Sequence, residues 1–176
     1  MSLLYQIGAY SPFILTITTW CLLWGNSTLF FYYTLGIVAN LLLNVVLKGI
    51  IQEPRPIFDS KKVSLAINHS KHFFYQNGIP FDMFGMPSGH AQSVFFSFVF
   101  VYLALKNSHR RRDILFLYLI FILLTCYHRI HSEFHSISQV FVGALVGASF
   151  AYFVFTYSQS NLKGFIREKP DDMGPV

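Results

Sequence analysis

Charge is what this sequence has least of. Only 12% of its 176 residues are Asp, Glu, Lys or Arg, about half the share of an ordinary soluble domain. The apolar residues, 53% of the chain, are not scattered but gathered into long runs, which argues against a soluble helical core and for a lipid-embedded protein. Cysteine is nearly missing too. Cys21 and Cys126 both sit inside apolar runs, so there is no disulfide framework and no metal-ligand spacing, and both read as small buried side chains. No Lys or Arg precedes Lys48, so the basic flank of a cleavable signal peptide is absent and the first hydrophobic stretch reads as a retained membrane helix. The net charge is +5, but the bases lie in short inter-helix segments and the C-terminal tail. That distribution lacks the solvated basic face of a nucleic-acid binder.

What is present predicts an all-α fold, a polytopic membrane bundle of about five transmembrane helices forming one domain over residues 1–176. The first helix runs from about Leu4 to Trp24, and Gly25-Asn26-Ser27 makes the turn. The second covers Thr28 to Leu47. A 29-residue polar and aromatic segment, Ile57 to Gly85, precedes the third helix, roughly His90 to Leu105. The basic loop Lys106 to Asp113 leads to a fourth helix, Ile114 to about Tyr127, and a fifth runs from about Ser138 to Tyr157. A polar tail, Ser158 to Val176, follows.

The purely apolar parts of the third and fourth helices fall short of the ~20 residues a span needs. Their missing turns are supplied by His90 and Ala91, and by His128 to His131. Polar residues at that depth need a protected cavity, so the shortness predicts a site recessed into one end of the bundle. Gly143, Gly147 and Ala151 form a small-xxx-small stripe for close helix packing. With five spans, Lys48, Arg55, Lys61, Lys62, Lys71 and Arg129 share one side, and Lys106, Arg110, Arg111, Arg112, Lys163, Arg167 and Lys169 the other. Three of the first group belong to the motifs below. Setting those aside, the base asymmetry puts the triple-arginine loop and the C-terminus in the cytoplasm, with the site facing the lumen or exterior.

Three motifs fall on that same side. They are Lys48-x6-Arg55-Pro56 at the end of the second helix, Pro87-Ser88-Gly89-His90 opening the third, and Arg129-x5-His135-x3-Gln139 bridging the fourth and fifth. The chemistry suits a phosphate. Lys48, Arg55 and Arg129 can neutralise a phosphoryl group, with Arg binding its oxygens in bidentate fashion. Ser88 and Gly89 precede a helix, so their N–H groups and the Ser88 hydroxyl can point at an anion, and Gly89 permits close backbone approach. His90 and His135 can supply a nucleophile and an acid. Asn40, Asn44 and Lys48, four residues apart, make one polar stripe aimed at the same interior.

A rival use of the same region is a metal site built from His128, His131, His135 and Glu133, since His131 and His135 would lie together on a helix. It leaves Lys48, Arg55 and the Pro87–His90 turn without a purpose. On the phosphate reading, His128 and His131 are interfacial polar residues and Glu133 a solvated carboxylate.

The three motifs, spanning Lys48 to about Gly147, resemble the signature of the type 2 phosphatidic acid phosphatase (PAP2) superfamily, K-x6-RP, PSGH and SR-x5-H-x3-D. The resemblance implies a membrane-embedded lipid phosphatase that uses no metal or other cofactor. By it, His135 is the nucleophile that becomes a phosphohistidine and His90 the general acid. Lys48, Arg55, Ser88, Gly89 and Arg129 cradle the phosphoryl oxygens. Two positions depart from the pattern: His128 stands in place of Ser, and Gln139 in place of Asp. Ile51 to Pro56, Gly85-Met86-Pro87 and Ser138-Gln139-Val140 look most like the dolichyldiphosphatase branch, which implies a polyprenyl diphosphate substrate on the lumenal face of an endomembrane such as the endoplasmic reticulum. That branch tends to PSSH where this chain has PSGH. The alternatives are a broad phosphatidate phosphatase and a silent scaffold of the same fold. The aromatic groups His72 to Tyr75 and Phe81 to Phe84 read as interfacial rings. Asn68-His69-Ser70 is a glycosylation sequon on the lumenal side, whereas Asn26-Ser27-Thr28 lies in a tight cytoplasmic turn and stays unused.

Overall fold

A computed structural model describes residues 3–56, 83–106 and 111–162. Asn68, the His72 to Tyr75 group and Phe81 lie outside them. Five helices follow one another: α1 (Leu3–Leu23), α2 (Ser27–Ile51), α3 (Gly89–Ala104), α4 (Arg111–His131) and α5 (Ile137–Leu162). The all-α membrane bundle expected from the sequence is what forms. By length and composition, α2, α4 and the Ile137–Ser160 part of α5 can each cross a membrane. Their outward faces are apolar, with Leu35, Val38, Leu41, Leu42, Val45 and Val46 of α2 all exposed. A water-soluble monomer does not tolerate so continuous an apolar surface.

The helices outrun the apolar runs that announce them. α4 continues through His128 to His131, and α2 extends one turn past Leu47 to include Lys48. α5 reaches Leu162, so Ser158 to Ser160 belong to the helix rather than to a tail. Ser158 is buried because its hydroxyl donates to the Phe155 carbonyl at 2.6 Å. Cys21 faces outward, contrary to the buried position expected of it: one thiol in an apolar helix is neutral enough to meet lipid.

α3 is the axle. It is only 16 residues long, yet it takes part in both hydrophobic cores. Phe96 and Phe100 pack with Tyr33, Ile37 and Val154 on one side, and Val94 and Val101 with Leu15, Tyr118 and Ile122 on the other. A helix wrapped by its neighbours need not match the bilayer thickness. Hydroxyl pairs join the layers: Thr19 with Tyr118 across α1 and α4, and Tyr33 with Ser97 across α2 and α3, each at 2.8 Å. Along α1 the hydroxyls of Ser11, Thr16, Thr18 and Thr19 donate to carbonyls one turn back, so none is left unpaired among apolar groups.

The glycine stripe does the work expected of it. A side chain at Gly143 would strike the Ser88 backbone, its Cβ lying 2.5 Å from the Ser88 oxygen, and one at Gly147 would overlap the Gln92 carbonyl. α5 therefore lies directly on the start of α3. Asn26 caps α2, its side chain accepting from Leu29 N–H at 2.9 Å, and it is buried.

Candidate active site

Local chain chemistry delivers each motif to the same end of the bundle. α2 stops at Gln52, which adopts a left-handed conformation (φ 53°) and returns its N–H to the Lys48 carbonyl. The chain then runs extended past Pro54, which pairs in an isolated antiparallel bridge with Phe84. Arg55 N–H donates to the Met83 carbonyl at 3.0 Å and Gly85 N–H to the Glu53 carbonyl at 2.7 Å. Met83 and Phe84 are buried here, so this end of the aromatic segment supports the site instead of resting at the interface.

α4 ends at His131, and Glu133 (φ 53°) turns the chain back. That return brings the His135 N–H onto the Arg129 carbonyl at 3.2 Å. Ser136 and Gln139 then start α5 with a reciprocal capping box. The Gln139 N–H donates to the Ser136 hydroxyl at 3.2 Å, and the Ser136 N–H donates to Gln139 Oε1 at 3.3 Å. The same Oε1 lies 3.3 Å from His135 Nδ1. On its far side, Gln139 Nε2 donates to Glu53 Oε1 and to the Pro54 carbonyl, both at 2.8 Å.

The Pro87–His90 motif is tied in through the backbone, since Ser88 N–H donates to the Gln139 carbonyl at 3.0 Å. Beneath it a buried amide cluster locks α2 to α3. Gln92 Nε2 donates to both oxygens of Asn40 at 2.9 Å, and Asn44 Nδ2 donates to Gln92 Oε1 at 2.7 Å and to the Pro87 carbonyl at 3.1 Å. Asn40 and Asn44 thus hold the Pro87–His90 turn in place. Gly89 makes room for that arrangement, because a Cβ there would stand 3.1 Å from the Asn44 oxygen.

The result is a buried imidazole under the influence of three positive charges. His135 is held down to about 3, first by burial and then by the charges of Arg55, Arg129 and Lys48, against the opposing hydrogen bond from Gln139. It is therefore neutral at ordinary pH, with a lone pair on the nitrogen that carries no proton. Arg55 donates to the Phe134 carbonyl at 3.3 Å, and the Arg129 guanidinium lies 4.7 Å above the Phe134 ring. Among the described residues, four buried side-chain polar atoms have no hydrogen-bond partner: Asn40 Nδ2 and His128 Nδ1, and, beside His135, the Ser88 hydroxyl and Arg129 Nε. Orphaned donors at such depth fit an anionic ligand. α1 closes one flank. Tyr5 accepts from the Ser132 hydroxyl at 2.9 Å and meets the His128 ring edge-on at 4.3 Å, while Gly8 packs against Leu124 and His128.

The metal alternative is not assembled. The helix ends before His135, so the four-residue spacing from His131 does not bring the two rings together. His128 is buried against Tyr5 and is not the interfacial residue expected. His131 turns outward onto Tyr127, and Glu133 is exposed. Among the described residues no three His, Cys, Asp or Glu side chains gather at metal-binding range. Two contributors escape a motif reading, Glu53 and Gln92. Glu53 lies inside the first motif, and the replacement of Asp by Gln139 was itself a hint that a carboxylate had moved elsewhere.

A family model described as the PAP2 superfamily matches residues 29–163. Dolichyldiphosphatase of Saccharomyces cerevisiae is 31% identical over 119 residues, covering 64% of this chain and 45% of that protein. Dolichyldiphosphatase 1 of Homo sapiens is 29% identical over 135 residues, covering 69% and 50%. Lipid phosphate phosphatase epsilon 1, chloroplastic, of Arabidopsis thaliana is 31% identical over 133 residues, covering 73% and 40%. The chain thus spans half or less of the length of these three relatives. No solved structure matches it.

Proposed function

The chain belongs to the PAP2 superfamily, and on that premise we propose that it is a membrane phosphatase that hydrolyses a polyprenyl diphosphate through a phosphohistidine on His135. The observation that carries this reading is a neutral, buried His135 among Lys48, Arg55 and Arg129, with the Ser88 hydroxyl and Arg129 Nε left for a ligand. A phosphate dianion entering the site meets the three cations and the Ser88 and Gly89 end of α3. His135 Nε2 gives its lone pair to phosphorus, and the bond from phosphorus to the leaving oxygen breaks with its electron pair. His90, acting as the general acid, gives that oxygen a proton. Water then attacks the phosphohistidine, His90 takes a proton from the water, and the N–P pair returns to His135.

The diphosphate preference follows from Gln139. An amide stabilises the cationic phosphohistidine less than the family's Asp would, so a good leaving group matters. Cleaving a diphosphate releases a phosphate monoester with a second pKa of about 6, whereas cleaving a monoester releases a far more basic alkoxide. The names of the yeast and human relatives point the same way, while the Arabidopsis relative keeps a broad lipid phosphate phosphatase as the second reading. The charges of the site make a metal unnecessary to the mechanism. The site faces the lumen of an endomembrane, on the base asymmetry of the loops. The deciding experiment is kcat/KM on a prenyl diphosphate and on phosphatidate with purified protein in detergent. A clear preference for the diphosphate is expected, and equal rates overturn the substrate assignment.

A further inference from the structure

The Gln139 amide has all four of its hydrogen-bonding positions occupied. Nε2 donates to Glu53 Oε1 and to the Pro54 carbonyl, and Oε1 faces Ser136 N–H and His135 Nδ1. Rotating the amide by half a turn would set its oxygen against a carboxylate and a carbonyl, and its NH2 against an N–H donor. The orientation is therefore dictated by the partners. An oxygen fixed beside His135 Nδ1 requires that nitrogen to carry the proton, which leaves Nε2 as the attacking atom. The chain of contacts then runs from a carboxylate through an amide to the imidazole.

We propose that Glu53 is a positioning residue for the nucleophile: through Gln139 it fixes the His135 tautomer and supplies, one side chain removed and therefore only in part, the negative charge that an Asp at position 139 would have supplied directly. When His135 Nε2 bonds to phosphorus the ring becomes cationic. The Glu53 charge polarises the Gln139 amide so that its oxygen is more negative toward Nδ1–H. Pro54 and the Ser136–Gln139 capping box share the task of orientation, so the distinctive contribution of Glu53 is charge. Gly85 completes the arrangement, because a Cβ there would overlap the Gln139 side chain.

This inference rests on the phosphohistidine reading, and the test separates the two. Purified full-length protein is mixed with prenyl diphosphate labelled at the terminal phosphate, quenched in alkali, and followed for the rate of alkali-stable phosphoenzyme formation in a single turnover. Four proteins are compared: the natural one, Glu53→Gln, Gln139→Glu, and the double exchange. Glu53→Gln keeps an acceptor for Gln139 but removes the charge, and should slow phosphoenzyme formation roughly tenfold. Gln139→Glu sets two carboxylates face to face and should be slow as well. The double exchange restores one carboxylate and one amide in reversed order, and should recover to within about threefold of the natural rate. A purely structural role for Glu53 predicts losses that multiply in the double variant, and that result overturns the proposal, as does an unchanged rate in Glu53→Gln. If the natural protein turns over without any phosphoenzyme and His135→Asn remains active, the parent reading fails and takes this one with it. Thermal unfolding of each variant identifies any rate loss that comes from misfolding; for a misfolded single variant, recovery of both fold and rate in the double exchange still supports the charge relay, and recovery of fold without rate overturns it.

Discussion

Ser88 donates its backbone N–H to the carbonyl of Gln139 at 3.0 Å, so the turn that opens α3 and the first turn of α5 form one rigid unit. On the proposed mechanism the Ser88 turn would hold the phosphoryl group, while Gln139 in the first turn of α5 holds the His135 that attacks it. The close approach that permits this bond depends on Gly143, whose missing side chain leaves space for the Ser88 backbone.

Gly143→Ala is therefore expected to damage the site although residue 143 touches no substrate. The added methyl lies in contact range of backbone, which cannot swing aside, and overpacking of this kind costs about 1–3 kcal/mol. Thermal unfolding in detergent should show the loss, and kcat should fall more than stability alone accounts for. An alanine variant with natural kcat would mean that the α3–α5 contact does not position the Ser88 turn.

His135→Ala should abolish hydrolysis while the protein still inserts and folds, because water does not replace a missing nucleophile at comparable rate. Turnover of a prenyl diphosphate and helix content by circular dichroism are measured together. Substantial activity in the folded variant rules out attack by His135.

The amide cluster beneath the site should matter to stability first. Gln92→Leu removes both donations to Asn40 and the acceptor for Asn44, leaving buried polar atoms unpaired at about 1–3 kcal/mol. Its unfolding midpoint should drop, and Gln92→Glu should not restore it, because the new carboxylate oxygen faces the two Asn40 oxygens that accepted from Nε2. A natural midpoint in Gln92→Leu would show that the amide cluster contributes nothing to stability.

Acid should destabilise the empty protein through His135. Its folded value near 3 lies below the ordinary 6.5, so between those limits the unfolded chain binds a proton that the folded chain refuses. Stability is full above pH 6.5 and falls as pH drops toward 3, by up to about 1.4 kcal/mol per unit. Denaturation midpoints at stepped pH should fall more steeply for the natural protein than for His135→Asn. Inorganic phosphate, by offsetting the three cations, should flatten the difference. Parallel slopes without phosphate would contradict a buried neutral imidazole.

Orientation can be read with single cysteines at the two ends of α5. In a background with Cys21 and Cys126 replaced by Ser, Ser138→Cys should react with an impermeant maleimide from the lumenal or exterior side, and Ser160→Cys only from the cytoplasm. Both Ser138 and Ser160 are exposed, so access is not limited by packing. The reverse pattern would invert the topology.

Hydrophobic run length and the placement of bases were enough to read a five-helix membrane bundle from the sequence, because lipid leaves the backbone no spanning choice but helix here. The order of Lys48, Arg55, His90, Arg129 and His135 along alternating spans was enough to bring them to one end. The glycine stripe was legible for the same reason: only small residues let helices touch. Partner choice among uncharged side chains was not legible. Asn40 and Asn44 read as a polar stripe aimed at the interior of the site, and it is packing against α3 that pairs them with Gln92. His128 read as interfacial until α1 laid Tyr5 and Gly8 over it. Glu53 gives no signal through spacing, since its bond to Gln139 joins residues 86 positions apart. That contact exists only because the left-handed turn at Gln52 and the bridge from Pro54 to Phe84 carry the carboxylate across the mouth of the bundle. Helix periodicity is local and survives in one dimension, whereas a hydrogen-bond relay between loops is decided by where three chain ends meet.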